Sequence, residues 1–270
     1  MSTKQTIAFF GATGGCAGSS LACALREGYH CTALARTPSK LETFLTTTHA
    51  IPAATLSSLL TIHRGDAKNP EDVARVLVSP LSPTHLVSTI YTAIGAYPSF
   101  KWSLSTPFVL SDPNVCTDGV RAIFTALTTL ASAQNISSTP DGAKPLLIAL
   151  SSTGVNGKTR DIPLAYAPLY HFLAAQPHAD KRAMEKVIVD ESAKYTRGFV
   201  IIRPTALTDG EKGVAKVRAG WEWGVAGEGR AKEDGPAIGW VIGRKDVGAW
   251  VFKKVIQEGG WEDRCVSLTY

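Results

Sequence analysis

At 270 residues, with 44% apolar and 19% charged residues, the chain has material for a full hydrophobic core and too little charge to stay disordered. Its formal charge of +5 is spread along the sequence, densest at Lys253-Lys254 and Arg244-Lys245, which argues against a nucleic-acid partner. No stretch approaches the roughly 20 apolar residues of a membrane span, and residues 1–6 run into an apolar strand without a signal-peptide pattern, so a soluble, cytoplasmic protein with no membrane partner is expected.

In chain order, short β-rich apolar runs alternate with helical patterns. Strands are expected at residues 6–10, 31–35, 60–64, 85–89, 146–150 and 199–202. Helices are expected at 16–27, 39–47, 70–78, 115–133 and 179–194, where apolar residues recur at three- and four-residue spacing. This alternation predicts an α/β fold, a doubly wound Rossmann parallel sheet covered on both faces. Residues 46–58 and 132–144 read as surface loops. A helix at 246–257 and a strand at 264–268 close the chain, while the glycine-rich stretch 209–243, with Trp221, Trp223 and Trp240, reads as a small irregular cap on the substrate side. One NAD(P)-binding domain spanning 1–270 is expected. The five cysteines, Cys16, Cys23, Cys31, Cys116 and Cys265, are odd in number and lack zinc or redox spacing, so reduced thiols are expected.

The first strand runs directly into Gly11-Ala-Thr13-Gly14-Gly15-Cys16-Ala17-Gly18, and an amphipathic helix follows. Gly11 permits the tight turn, Gly14 lets the backbone approach a pyrophosphate, and Ala17 keeps the helix close to the strand while its first N–H groups face the anion. Strand, turn and helix together are the context that a dinucleotide fingerprint requires. The second strand ends in Arg36-Thr37-Pro38, with no acidic residue between Glu27 and Glu42. A carboxylate there would hold the ribose 2′-hydroxyl of NAD; an arginine suits the 2′-phosphate of NADP(H). Asp66, after the third strand, is either an acceptor for the adenine amino group or the cap of the helix that begins at Pro70.

The set Gly11-Ala-Thr-Gly14, Leu34-Ala-Arg36, Gly65-Asp66, Leu150-Ser-Ser-Thr153-Gly and Arg203-Pro-Thr205 resembles the NmrA-like, NAD(P)H-binding branch of the atypical short-chain dehydrogenase/reductases, over roughly residues 5–255. The resemblance implies a Rossmann core that binds NADP(H) across the carboxyl edge of the sheet, with either reductase activity or redox sensing without turnover. Thr13, Gly15, Cys16, Thr37, Thr89 at the end of the fourth strand, Lys181 and Pro204 complete the dinucleotide contacts it suggests. It also leads one to look for a Tyr-x-x-x-Lys pair, which reads as missing: Lys181 sits where the family lysine would, and Pro177 occupies the tyrosine position.

Lys181 can anchor the nicotinamide ribose and deliver a proton if its pKa is depressed. Ser152 corresponds to the hydroxyl that polarises a substrate carbonyl, with Ser151 and Thr153 as alternatives in register. Tyr166, Tyr170, His171 and His178 are candidate replacement acids, His178 being nearest Lys181 in sequence. The aromatic loop 91–113, with Trp221 and Trp223, suits a bulky, flat or apolar small-molecule substrate. No metal-ligand spacing and no nucleophile elbow occur in the sequence. An NADP(H)-dependent reductase of a carbonyl or conjugated alkene is therefore the leading expectation, and a homodimer is compatible with it. A dinucleotide-sensing regulator and a non-redox isomerase or cyclase that retains the dinucleotide are the alternatives.

Overall fold

The computed structural model describes residues 5–95, 98–100, 108–155, 160–166, 175–222 and 235–270. Eight strands build the central sheet: β1 (Ile7–Phe10), β2 (Cys31–Ala35), β3 (Leu60–Arg64), β4 (Thr89–Thr92), β5 (Leu146–Leu150), β6 (Gly198–Pro204), β7 (Arg218–Glu222) and β8 (Arg264–Thr269). Their order across the sheet is β7-β8-β6-β5-β4-β1-β2-β3, parallel throughout except for β7 against β8. The helices are α1 (Gly15–Arg26), α2 (Pro38–Thr47), α3 (Ala53–Leu59), α4 (Pro70–Leu77), α5 (Val115–Gln134), α6 (Ala175–Glu191) and α7 (Arg244–Trp250), the last continuing as a π-helix over Val251–Glu258.

Every residue of β1, β2, β4, β5 and β6 is buried, which explains why these strands read as continuous apolar runs rather than as alternating ones. The two faces nevertheless separate cleanly. Ile7, Phe9, Ile148 and Ile202 join Leu21 and Leu25 of α1 and Val247 and Trp250 of α7 in one core. Ala8, Phe10, Leu147 and Ile201 join α4, α5 and α6, through Val76, Ile123 and Ile188, in the other. Period-two side-chain direction thus produces the doubly wound, two-core architecture from uniformly apolar strands.

Three sequence expectations need correction. The fourth strand is residues 89–92, not 85–89: Ser82–Leu86, polar and containing Pro83, instead forms an antiparallel ribbon with Val78–Ser79. Pro83 has no N–H to give to an interior ladder, whereas Thr-Ile-Tyr-Thr suits a buried central position. Residues 53–58 of the supposed loop 46–58 belong to α3. The sheet is not wholly parallel, because residues 218–222 of the supposed cap add to its edge as antiparallel β7. At the end of that stretch Val241–Gly243 pairs in parallel with Ala206–Thr208, which lies just before it, and Trp223 lies outside the described residues.

The chain winds from β1 outward through β2 to β3, then crosses back to lay β4 on the other side of β1. Strand order therefore reverses between β1 and β4, and a crevice opens at their carboxyl ends, the usual ligand position in such sheets.

Candidate functional site

The glycine turn occupies that crevice. Gly11 has φ +80°, and a Cβ there would lie 2.6 Å from the Ala93 carbonyl oxygen, so the position demands glycine. Helix α1 begins with Gly14 as its cap, without a side-chain capping bond and without an acidic residue in its first turn. Its first N–H groups and the positive end of its dipole therefore face the crevice, a cradle that fits a pyrophosphate. Close packing of α1 depends on Gly18 more than on Ala17: a Cβ at Gly18 would stand 2.5 Å from the Ala12 carbonyl oxygen and 2.4 Å from the Phe44 ring.

Two clefts meet at this turn, sharing Gly11, Gly14 and the segment Ala93-Ile94-Gly95 that follows β4. The first, about 300 Å³, also contains Thr13, Arg36, Asp66 and Lys68. Arg36 is exposed and makes no hydrogen bond or ion pair among the described residues, so its guanidinium is available to a phosphate. Thr37 stands beside it as the cap residue of α2. Asp66 does not cap α4. That role falls to Asn69, whose side chain accepts the Glu71 N–H, while Asp66 Oδ1 accepts the Lys68 N–H at 3.0 Å.

The second cleft, about 400 Å³, brings together Gly15, Cys16, Ser152, His178, Lys181 and Arg244. The Lys181 ammonium donates to the Leu150 carbonyl at the carboxyl end of β5. Ser151 and Ser152 both line the cleft, and the three consecutive hydroxyls differ in their surroundings. Ser151 is buried and donates to Glu185 Oε1 at 2.5 Å. Thr153 is buried and bonds through its N–H to the Pro204 carbonyl at 3.1 Å. Ser152 is partly exposed to the cleft. His178 is buried and lines the same wall one helical turn from Lys181. Cys16 also lines it, and burial pushes its thiol up to about 12 despite nearby Arg244 and Lys181.

The remaining expected contacts fall elsewhere. Thr89, the first residue of β4, is in register with Ile7 and Leu146 at the amino end of the sheet, so the slipped strand boundary removes it from the cofactor edge. Pro204 is buried at the end of β6, with its carbonyl taken by Thr153, and lines neither cleft. Tyr170 and His171 lie outside the described residues, as does the side chain of Tyr166. The reading that no Tyr-x-x-x-Lys exists also needs correction: Tyr97 and Lys101 have that spacing. Both lie outside the described residues, in the stretch after β4 rather than on α6.

Sequence reasoning missed two features. Arg244 lines the cleft through the packing of α7 on α1, and it lies just before the expected last helix, 246–257, so no local pattern marked it. Behind Ser151, Arg203 is fully buried and bonds Glu185 through Nε at 2.9 Å and Glu222 through Nη1 at 2.7 Å. Burial raises the Glu222 carboxyl to about 7, against the pull of Arg203, with the negative charges of Asp161 and Glu185 adding to the rise.

No family model matches the chain. It is 37% identical to the reductase pytE of Aspergillus terreus, over 100% of this chain and 99% of that protein. It is 40% identical to the oxidase pynE of Aspergillus niger, over 99% of each. Among solved structures it is similar to a Rossmann-fold NAD(P)-binding family protein from Shigella flexneri, with a TM-score of 0.58, 14% identity, and coverage of 99% of this chain and 94% of that one. The chain belongs to the family of the two fungal proteins, the reductase pytE and the oxidase pynE, and has a Rossmann fold.

Proposed function

We propose that the protein is an NADP(H)-dependent oxidoreductase that reduces a carbonyl or conjugated alkene of a medium-sized apolar or aromatic metabolite. The observation that carries this reading is the pair of clefts joined at the glycine turn, one containing Arg36 and the other Ser152, His178 and Lys181. The motif order given above further supports an NmrA-like atypical short-chain dehydrogenase/reductase. The redox names of both relatives favour turnover over sensing.

When bound, the dinucleotide supplies or accepts the hydride at its nicotinamide ring. The chain's own residues do the rest. The first N–H groups of α1 hold the pyrophosphate, and Arg36 grips the 2′-phosphate with its planar fork of donors. Lys181, steadied by the Leu150 carbonyl, directs its other N–H bonds to the nicotinamide ribose. Ser152 donates to the acceptor oxygen, and His178 delivers the proton that balances the hydride; in the oxidative direction His178 takes that proton back. Burial of His178 limits bulk water at the point of proton transfer.

The test is NADPH consumption over a panel of aromatic ketones and enones, with Ser152→Ala, His178→Ala, Lys181→Ala and Tyr170→Phe. Ser152→Ala and His178→Ala should each lower kcat by about 10²-fold or more while NADPH still binds. Lys181→Ala should weaken NADPH binding as well. Wild-type turnover in both the Ser152 and His178 variants, with loss in Tyr170→Phe, would move the proton donor to Tyr170.

A further inference from the structure

The second cleft is built for an anion in addition to the dinucleotide. The described residues that line it include the cations Lys181 and Arg244 and no carboxylate. Lys181 is engaged by the Leu150 carbonyl. Arg244 is placed by close packing of two helices: a Cβ on Gly248 would lie 2.3 Å from the Cys16 carbonyl oxygen, so α7 rests directly on the first turn of α1. Arg244 is four residues earlier and therefore on the same face of α7. Its aliphatic stem covers Gly15, where an added Cβ would come within 2.7 Å of Arg244 Cδ. Its guanidinium continues to Asp209, with Nη1 to Oδ1 at 2.6 Å.

Asp209 is 94% exposed. So solvated a counter-ion holds an arginine weakly and yields readily to a ligand that arrives with its own body buried. Arg244 lines the cleft of Ser152 and His178, not the cleft of Arg36. The pyrophosphate already has the N–H groups of α1. Leu207 and Pro177 supply apolar wall between the charged groups.

We propose that Arg244 is a specificity-determining residue that binds an anionic oxygen of the substrate, a carboxylate or an ionised enol, and so orients its reducible group toward Ser152. The substrate class is thus an organic acid with an apolar or aromatic body. This rests on the oxidoreductase reading of the same cleft and deepens it.

The experiment uses the full chain with NADP+, which prevents reduction, and reads tryptophan fluorescence or calorimetry. Phenylpyruvate is compared with its methyl ester, and cinnamate with methyl cinnamate. The acids should bind about tenfold or more tighter than the esters to the wild type, the range of one charge-assisted hydrogen-bonded pair. Arg244→Gln should abolish that preference, Arg244→Lys should keep part of it, and Asp209→Asn should tighten the acids. NADP+ affinity should stay within about threefold in all variants, since no contact of Arg244 with the dinucleotide is proposed. Melting temperatures identify any variant that fails to fold, and Asp209→Asn and Arg244→Lys provide two milder replacements.

Equal binding of acid and ester, no binding of either acid at millimolar concentration, or a loss confined to NADP+ affinity in Arg244→Gln would overturn the assignment. The NADP+ titration reports separately on the dinucleotide reading. If NADP+ fails to bind, that reading falls, while the acid-over-ester comparison repeated without dinucleotide still decides the role of Arg244.

Discussion

Asp180 of α6 caps the start of α5 through Thr117: Asp180 Oδ1 accepts the Thr117 N–H at 3.0 Å and its hydroxyl at 2.7 Å, while Oδ2 accepts the Cys116 N–H at 2.8 Å. The cap thus comes from another helix, and it locks the stretch of α6 bearing His178 and Lys181 to the helix that follows the β4 loop. Cys116 tightens the junction by donating its Sγ–H to the Ile94 carbonyl at 3.2 Å.

Replacing Asp180 with alanine leaves buried donors unsatisfied and should cost about 1–3 kcal/mol of stability by denaturant unfolding. Because the same change loosens His178 and Lys181, kcat should fall more than NADPH affinity, with Asp180→Asn intermediate. Unaltered kcat in a destabilised variant would show that the lock does not position the cleft.

Tyr91 lies fully buried on β4, with a hydroxyl that has no hydrogen-bond partner among the described residues. Burial holds its pKa well above the ordinary value, and it lines neither cleft despite its place on a strand that ends at the site. Tyr91→Phe removes an unpaired polar group and should leave activity intact while changing stability by between about 0 and +1 kcal/mol. A large loss of activity would reveal a role for the hydroxyl.

Glu222 gives the protein a pH signature. Its folded-state value of about 7 lies above the ordinary 4.5, so the folded protein binds this proton more tightly than the unfolded chain does. The contribution to stability is full below about pH 4.5 and disappears as pH rises through about 7. Wild-type melting temperature should accordingly decline, relative to Glu222→Gln, between about pH 5 and pH 8. Glutamine keeps an acceptor for Arg203 without the titrating proton. Parallel pH profiles for the two proteins would contradict the assignment.

The contact between Gly248 and Cys16 predicts that Gly248→Ala lifts α7 from α1, at a cost of about 1–3 kcal/mol. Arg244 would move with the helix, so the preference for acids should weaken even though Arg244 is unchanged. Preserved acid preference together with preserved stability would mean that the two helices can re-pack around a methyl group.

How far the molecule could be read in advance follows from the range of the interactions. The glycine turn was legible because strand, turn and helix are contiguous, and Arg36 because its position is counted from that turn. Most strands were legible from apolar runs. The fourth was displaced because the apolar residues of 85–89 straddle the ribbon Ser82–Leu86, which pairs locally with Val78–Ser79, and the start of the true strand, so Thr89 was misplaced with it. The different surroundings of Ser151, Ser152 and Thr153 could not be read from sequence, since they depend on Glu185 and Pro204, more than 30 residues away. Arg244 and the Arg203–Glu185–Glu222 group are products of tertiary packing, and no local pattern announces them.

The most direct test of the central claim is a titration of the purified protein with NADPH, NADP+, NADH and NAD+, for wild type and Arg36→Ala, read by tryptophan fluorescence. The structure leads to tighter binding of the phosphorylated pair by about tenfold or more, and to loss of that preference in Arg36→Ala with NADH affinity unchanged. Failure of all four dinucleotides to bind, or an equal preference for NADPH in both proteins, would contradict it.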